Sequence, residues 1–280
     1  MKTKLLIVAT LIIAVLAAVF FYAQHSIKAT KKTSVKNEIP TVFVHGSSGD
    51  AYTFSTMLEQ ITIERKNSIT PLILTIAPDG AIKESGKLDK KSDMPVIQIG
   101  FGDPNSTIEN QVTWIHHVLS YLKSQHKITA INYVGYSDGG VVGLNYLEKY
   151  GQQKSLPQIK KMVTIGSPFN DQLPKAEDET IAEVLKVGPQ DKSERYQAFA
   201  KQINDVPQTI SFLLIAGDVE KNEQGDTVVP LSDALSVYSL LKQNHNPVKK
   251  DIVTGEESTH MHMITQNKEV REDIQNFLWK

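Results

Sequence analysis

Ile131-Asn132-Tyr133-Val134-Gly135-Tyr136-Ser137-Asp138-Gly139-Gly140 is a β-rich apolar run that ends in Gly-x-Ser-x-Gly and passes into a segment carrying Val141, Val142, Leu144 and Leu147 at helical spacing. A serine on a strained strand-to-helix turn is pushed out above a sheet, and only small flanking residues let strand and helix approach that closely. The spacing makes Ser137 the candidate nucleophile.

Working outward, short β-rich runs alternate with amphipathic ones, the pattern of a mostly parallel sheet covered on both faces by helices. The strand candidates are residues 40–44, 72–76, 96–100, 131–135, 161–165, 210–216 and 250–253. Between the third and fourth, Ile108, Val112, Ile115, Val118, Leu119 and Leu122 fall on one helical stripe, with Ser106 and Glu109 in capping-box spacing at its start. Residues 170–207 interrupt the alternation with a long charged segment that reads either as a lid insertion beside the site or as an extended crossover.

Acyl chemistry at a serine needs two backbone N–H donors aimed at the developing oxyanion. One is expected from Asp138, the residue after the nucleophile. The other is expected from Ser47, in the turn Thr41-Val42-Phe43-Val44-His45-Gly46-Ser47. His45, at a strand end before a glycine, reads as a residue that fixes this loop rather than as a base.

In a strand–serine–helix arrangement of this kind the acid and the histidine follow the serine in chain order. Asp218 and Asp226 both follow the sixth strand, and Asp226 is preferred because Gly225-Asp226-Thr227-Val228-Val229-Pro230 places it in a tight turn before an apolar segment. Ser258-Thr259-His260-Met261-His262-Met263 supplies the base. His260 is preferred over His262 because Met263 follows it at the third position and can anchor the loop. A zinc reading of His-x-His lacks both cysteines and a carboxylate–histidine cluster.

The 280 residues allow one catalytic domain, and the chain has no cysteine, which removes thiolate nucleophiles, disulfides and cysteine-ligated metals. Residues 1–32 hold five lysines and no acid, leaving 25 basic against 31 acidic side chains, so nucleic acid is not an expected partner. Residues 5–23 are uncharged and apolar. As a helix they would reach roughly 28 Å, about the hydrocarbon thickness of a bilayer. They are expected to be a transmembrane signal anchor, with a cleaved signal peptide as the alternative; residues 24–38 form a linker and 39–280 the catalytic domain. The domain is then expected outside the cell membrane, or secreted after cleavage.

These motifs resemble α/β-hydrolases, and more narrowly a Gram-positive family of cell-surface α/β-hydrolases of unknown function. The resemblance rests on Pro40 to Gly46, Gly135 to Gly140, Ile165-Gly166-Ser167-Pro168-Phe169-Asn170, Asp226 to Pro230, and the His260 region with the terminal Phe277-Leu278-Trp279. It implies an eight-stranded type of sheet, a Ser137-Asp226-His260 triad, no cofactor and carboxylesterase activity on small esters. Acyl transfer by the same triad and a non-catalytic binding module are the competing outcomes. Tyr136-Ser137-Asp138 departs from the His-Ser-Met of many relatives and sets a carboxylate beside the expected oxyanion hole.

Overall fold

In the computed structural model, residues 39–66, 68–89 and 92–279 are described. The apolar run at 5–23 and the linker at 24–38 lie outside them. Among the described residues no helix is long and apolar enough to cross a membrane.

The strands are β1 (Thr41–Val44), β2 (Leu72–Ile76), β3 (Ile82–Gly86), β4 (Val96–Phe101), β5 (Ala130–Tyr136), β6 (Gln158–Ile165), β7 (Ser211–Asp218) and β8 (Val248–Thr254). They form one sheet in the order β3-β2-β4-β1-β5-β6-β7-β8. All pairs are parallel except β2 with β3. Strand placement moves one way from β1 through β2 and β4, then crosses to β5 and runs the other way. The loops after β1 and β5 therefore meet at a topological switch point, where open α/β sheets place their sites.

The helices are α1 (Ser55–Arg65), α2 (Ile108–His126), α3 (Asp138–Tyr150), α4 (Ile181–Val187), α5 (Glu194–Gln202), α6 (Leu231–Leu235), α7 (Tyr238–Gln243), α8 (His260–Thr265) and α9 (Lys268–Trp279). Central strands are buried on both faces, which explains why β1 reads as an unbroken apolar run. One core joins Val42, Leu74 and Ile131 of the sheet to the stripes of α2 and α3. The other joins Phe43, Val134 and Ile215 to α1, α8 and α9.

The α2 stripe is as the periodicity predicts, with Val112, Ile115, Val118, Leu119 and Leu122 buried. Its cap is Thr107 rather than Ser106: Thr107 accepts from the Asn110 amide, while Ser106 Oγ accepts from the Asn110 side chain. The strand β3 is absent from the sequence expectation. It is the exposed antiparallel edge, Ile-Lys-Glu-Ser-Gly, and such an edge is charged to discourage further pairing. Glu84 on it pairs with His126 at 2.8 Å and accepts from the Tyr121 hydroxyl at 2.9 Å.

Of the two readings of residues 170–207, the packing favours the crossover. Ile181, Tyr196 and Phe199 are buried in the same core as α2 and α3. Asp233 of α6 accepts from the backbone amides of Asn170 and Gln172, and Asn170 in turn accepts from the Ser193 amide at 2.9 Å. Arg195 donates to the Pro168 carbonyl at 2.7 Å and pairs with Asp171 at 2.9 Å.

The edge strand β8 and helix α9 flank the loop that carries His260, and they meet at a carboxyl pair. Burial, together with the adjacent Asp251, Glu269 and Glu272, pushes the Asp273 carboxyl up to about 8. The unfolded chain has an aspartate near about 3.9, so only the folded state keeps this proton through the intervening pH range. Stability from the group is complete below about pH 4 and is lost as pH rises through about 8. Asp273→Asn does not titrate. Its Tm is expected to fall less than that of the wild type between about pH 5 and pH 9; thermal melts across that range check this, and parallel curves overturn it.

Candidate active site

Ser137 sits between β5 and α3 with φ 53° and ψ −130°. A non-glycine residue in this region carries about 1–3 kcal/mol of backbone strain, sustained only where the surroundings fix it. Here they do. The Ser137 amide donates to the Ile165 carbonyl at 2.9 Å and the Gly140 amide to the Ser137 carbonyl at 3.0 Å. A Cβ on Gly139 would lie 2.3 Å from the Val44 carbonyl oxygen, so α3 can close on β1 only with glycine there.

The predicted acid lies on the loop after β7. Asp226 is buried, and its Oδ1 accepts from the amides of Val228 at 2.9 Å and Val229 at 2.7 Å. Oδ2 lies 2.6 Å from Nδ1 of His260, and the His260 amide donates to the Asp226 carbonyl at 2.7 Å. Asp226 thus grips His260 at ring and backbone together, with Nε2 on the side of the ring away from that bond.

His260 opens α8 and its ring lies over that of Tyr136, with centroids 4.7 Å apart, next to Ser137 in the chain. Gly166 fixes the same neighbourhood from β6. A Cβ there would fall 2.6 Å from Asp226 Oδ2 and 3.0 Å from His260 Nδ1. The structure therefore brings the predicted acid and base together after β7 and β8, with the His260 ring against Tyr136, the residue before Ser137.

The alternatives take other places. Asp218 caps its own turn, accepting from the amides of Asn222 at 3.3 Å and Glu223 at 3.0 Å. His262 Nδ1 lies 3.1 Å from the Glu256 carbonyl oxygen. His45 is fully buried. The Phe101 amide can only donate, so His45 Nε2 accepts from it at 3.1 Å, and Nδ1 must carry the proton that binds the Gly46 carbonyl at 2.7 Å. Burial holds its pKa below the ordinary histidine value, which favours this neutral form. His45 pins the loop that presents Ser47. Among the described residues no group of three or more His, Cys, Asp or Glu side chains could hold a metal ion.

The family model described as alpha/beta hydrolase of unknown function matches residues 28–280. The chain belongs to this family. Among solved structures, a gene product of Listeria innocua is 28% identical, with 86% of this chain and 94% of that one covered and a TM-score of 0.77. A Lactobacillus plantarum protein, described provisionally as a cell surface hydrolase, is 22% identical over 86% and 92% of the two chains, with a TM-score of 0.67. The carboxylesterase CesB of Bacillus subtilis shares the fold at 12% identity, 86% and 83% coverage and a TM-score of 0.50. No curated protein matches the sequence.

Two features of this hydrolase's site escaped the sequence: the tilted contact of the Tyr136 ring with that of His260, and Thr227 in the left-handed region at φ 79° within the Asp226 turn. Neither leaves a signal in composition or spacing. The hydrogen-bond pattern predicts that Asp226→Asn and His260→Ala each lower turnover of a serine-hydrolase substrate by at least about a thousandfold, whereas Asp218→Asn and His262→Ala leave it within about tenfold. Steady-state kinetics on the four purified variants decides the assignment, and inactivation by Asp218→Asn would move the acid to the other carboxylate.

Proposed function

We propose that this chain is a serine hydrolase that cleaves carboxylic esters through Ser137, Asp226 and His260. The observation that carries the reading is the double grip of Asp226 on His260, set beside the strained turn of Ser137. A binding module has no need to hold a buried carboxylate on an imidazole at 2.6 Å with two further backbone donors on the acid.

In this mechanism His260 Nε2 takes the Ser137 proton as Oγ attacks the ester carbonyl. The tetrahedral oxygen collects negative charge, which the backbone amides of Ser47 and Asp138 receive. The imidazolium, stabilised by Asp226, then protonates the departing alcohol. Water attacks the acyl-enzyme by the same route in reverse. Asp226 holds the Nδ1 side of the ring and sets the tautomer of His260.

The surroundings of the site support an ester with a small apolar acyl group. Tyr52, Leu173, Val228 and Met261 are 59%, 37%, 50% and 57% exposed. Tyr52, Leu173 and Val228 sit on the loops after β1, β6 and β7, and Met261 in the first turn of α8, after β8. Isolated exposed apolar residues are ordinary, but Tyr52, Val228 and Met261 lie in the connections that carry the oxyanion turn, the acid and the base. The apolar run at 5–23 further supports a hydrolase held at, or exported through, the cell membrane.

Ser137→Ala is expected to fold as the wild type and to lose at least about a thousandfold in turnover of p-nitrophenyl acetate or butyrate. A fluorophosphonate probe should label the full chain at Ser137 and fail on the variant. Retention of more than about a hundredth of the wild-type rate, or labelling elsewhere, overturns the reading.

A further inference from the structure

We propose that the side chains of Ser47 and Asp138 form a latch that holds the two oxyanion-hole amides in register, which makes both side chains positioning groups. The inference rests on the serine-hydrolase reading above. The observation behind it is one hydrogen bond: Ser47 Oγ donates to Asp138 Oδ2, across 91 residues of sequence. The two residues whose amides are to receive the oxyanion are thus tied to each other by their side chains.

The loop needs such a tie. Its inner end is fixed, because His45 bonds the Gly46 carbonyl and the Phe101 amide, and because Gly46 lies hard against the nucleophile. A Cβ on Gly46 would come 2.5 Å from the Cβ of Ser137. Beyond Gly46 the chain turns outward. Ser47 and Ser48 are exposed, Ser48 has φ 59°, and both its amide and its hydroxyl bond to Asn105 on the loop after β4, at 3.1 and 3.0 Å. That contact draws the turn toward β4, on the side of β1 away from β5. The Asp138 carboxylate draws Ser47 back toward the start of α3.

The chemistry explains why position 138 can be acidic at all. A carboxylate beside a developing oxyanion opposes it by like-charge repulsion, a term that grows as water leaves the site. Bonded to Ser47 and placed in the first turn of α3, the same group is favoured by the helix dipole and has one acceptor oxygen committed. The latch is then a balance between a positioning gain and a charge penalty, and a neutral acceptor keeps the first without the second.

The test uses the full chain with p-nitrophenyl butyrate as substrate and a butyl boronic acid as a tetrahedral mimic. Ser47→Ala and Asp138→Ala are each expected to lower kcat by about tenfold, less than outright loss of a donor, with KM moved by less than about threefold. The boronic acid should bind each variant weaker by about the same tenfold, because the hole is used only by the tetrahedral form. The double variant should be no worse than either single one, since both break the same bond. Asp138→Asn, which still accepts from Ser47, should recover kcat to within about threefold of the wild type. If Asp138→Ala does not fold, Ser47→Ala carries the test. Wild-type kcat in Ser47→Ala, additive losses in the double variant, or a loss confined to KM overturns the latch. Inactive Ser137→Ala beside an unaffected Ser47→Ala removes the latch alone, whereas active Ser137→Ala removes the underlying serine-hydrolase reading.

Discussion

The strained backbone of Ser137 is the constraint on which the site depends. A φ of 53° at a serine is held because α3 closes onto β1 through Gly139, because β6 accepts the Ser137 amide, and because the buried Tyr133 hydroxyl donates to the Gly139 carbonyl at 2.7 Å. The same closure sets the Asp138 amide at the start of α3 and brings Gly46 against Ser137. The placement of Ser137 and of the turns on either side of it thus follows from a single packing event between one helix and one strand.

Burial and partners then sort chemically similar side chains into different roles. Asp226 and Asp218 both follow β7, yet only Asp226 meets an imidazole; Asp218 spends its oxygens on its own turn. His45 and His260 both stand at the ends of strands or loops near Ser137. His45 has both nitrogens committed to backbone, whereas His260 has one committed to a carboxylate. The two rings are thus set apart by their partners, backbone for His45 and a buried carboxylate for His260.

Much of this was legible in the sequence because it follows from periodicity and from glycine placement. Seven of the strands among the described residues and the α2 stripe agree with the geometry, and the two side chains expected as acid and base, Asp226 and His260, lie within hydrogen-bond distance of each other. What escaped has physical reasons. The strand β3 buries almost nothing and its residues are polar, so no apolar alternation marks it. The cap of α2 falls to Thr107 because two adjacent hydroxyl residues compete and local backbone geometry decides between them. Tyr136 over His260 and Ser47 bonded to Asp138 join residues 124 and 91 positions apart, and no local pattern encodes such pairs.

The segment after β6 shows how the rim of the site is kept in place. It begins at Gly166, packed against Asp226 and His260, and a few residues later its amides at Asn170 and Gln172 donate to Asp233. Burial raises the Asp233 carboxyl to about 7, against the opposing pull of those two amides and of Arg195. A buried carboxylate that has lost a donor partner is expensive, so releasing the segment would expose the fold to an uncompensated charge or force Asp233 to take a proton. The stretch from Gly166 to Gln172 is consequently restrained at both ends, and beyond it Tyr196 and Phe199 seat the insertion in the core. The packing thus ties this crossover to the sheet through Asp233 at one point and through Tyr196 and Phe199 at another.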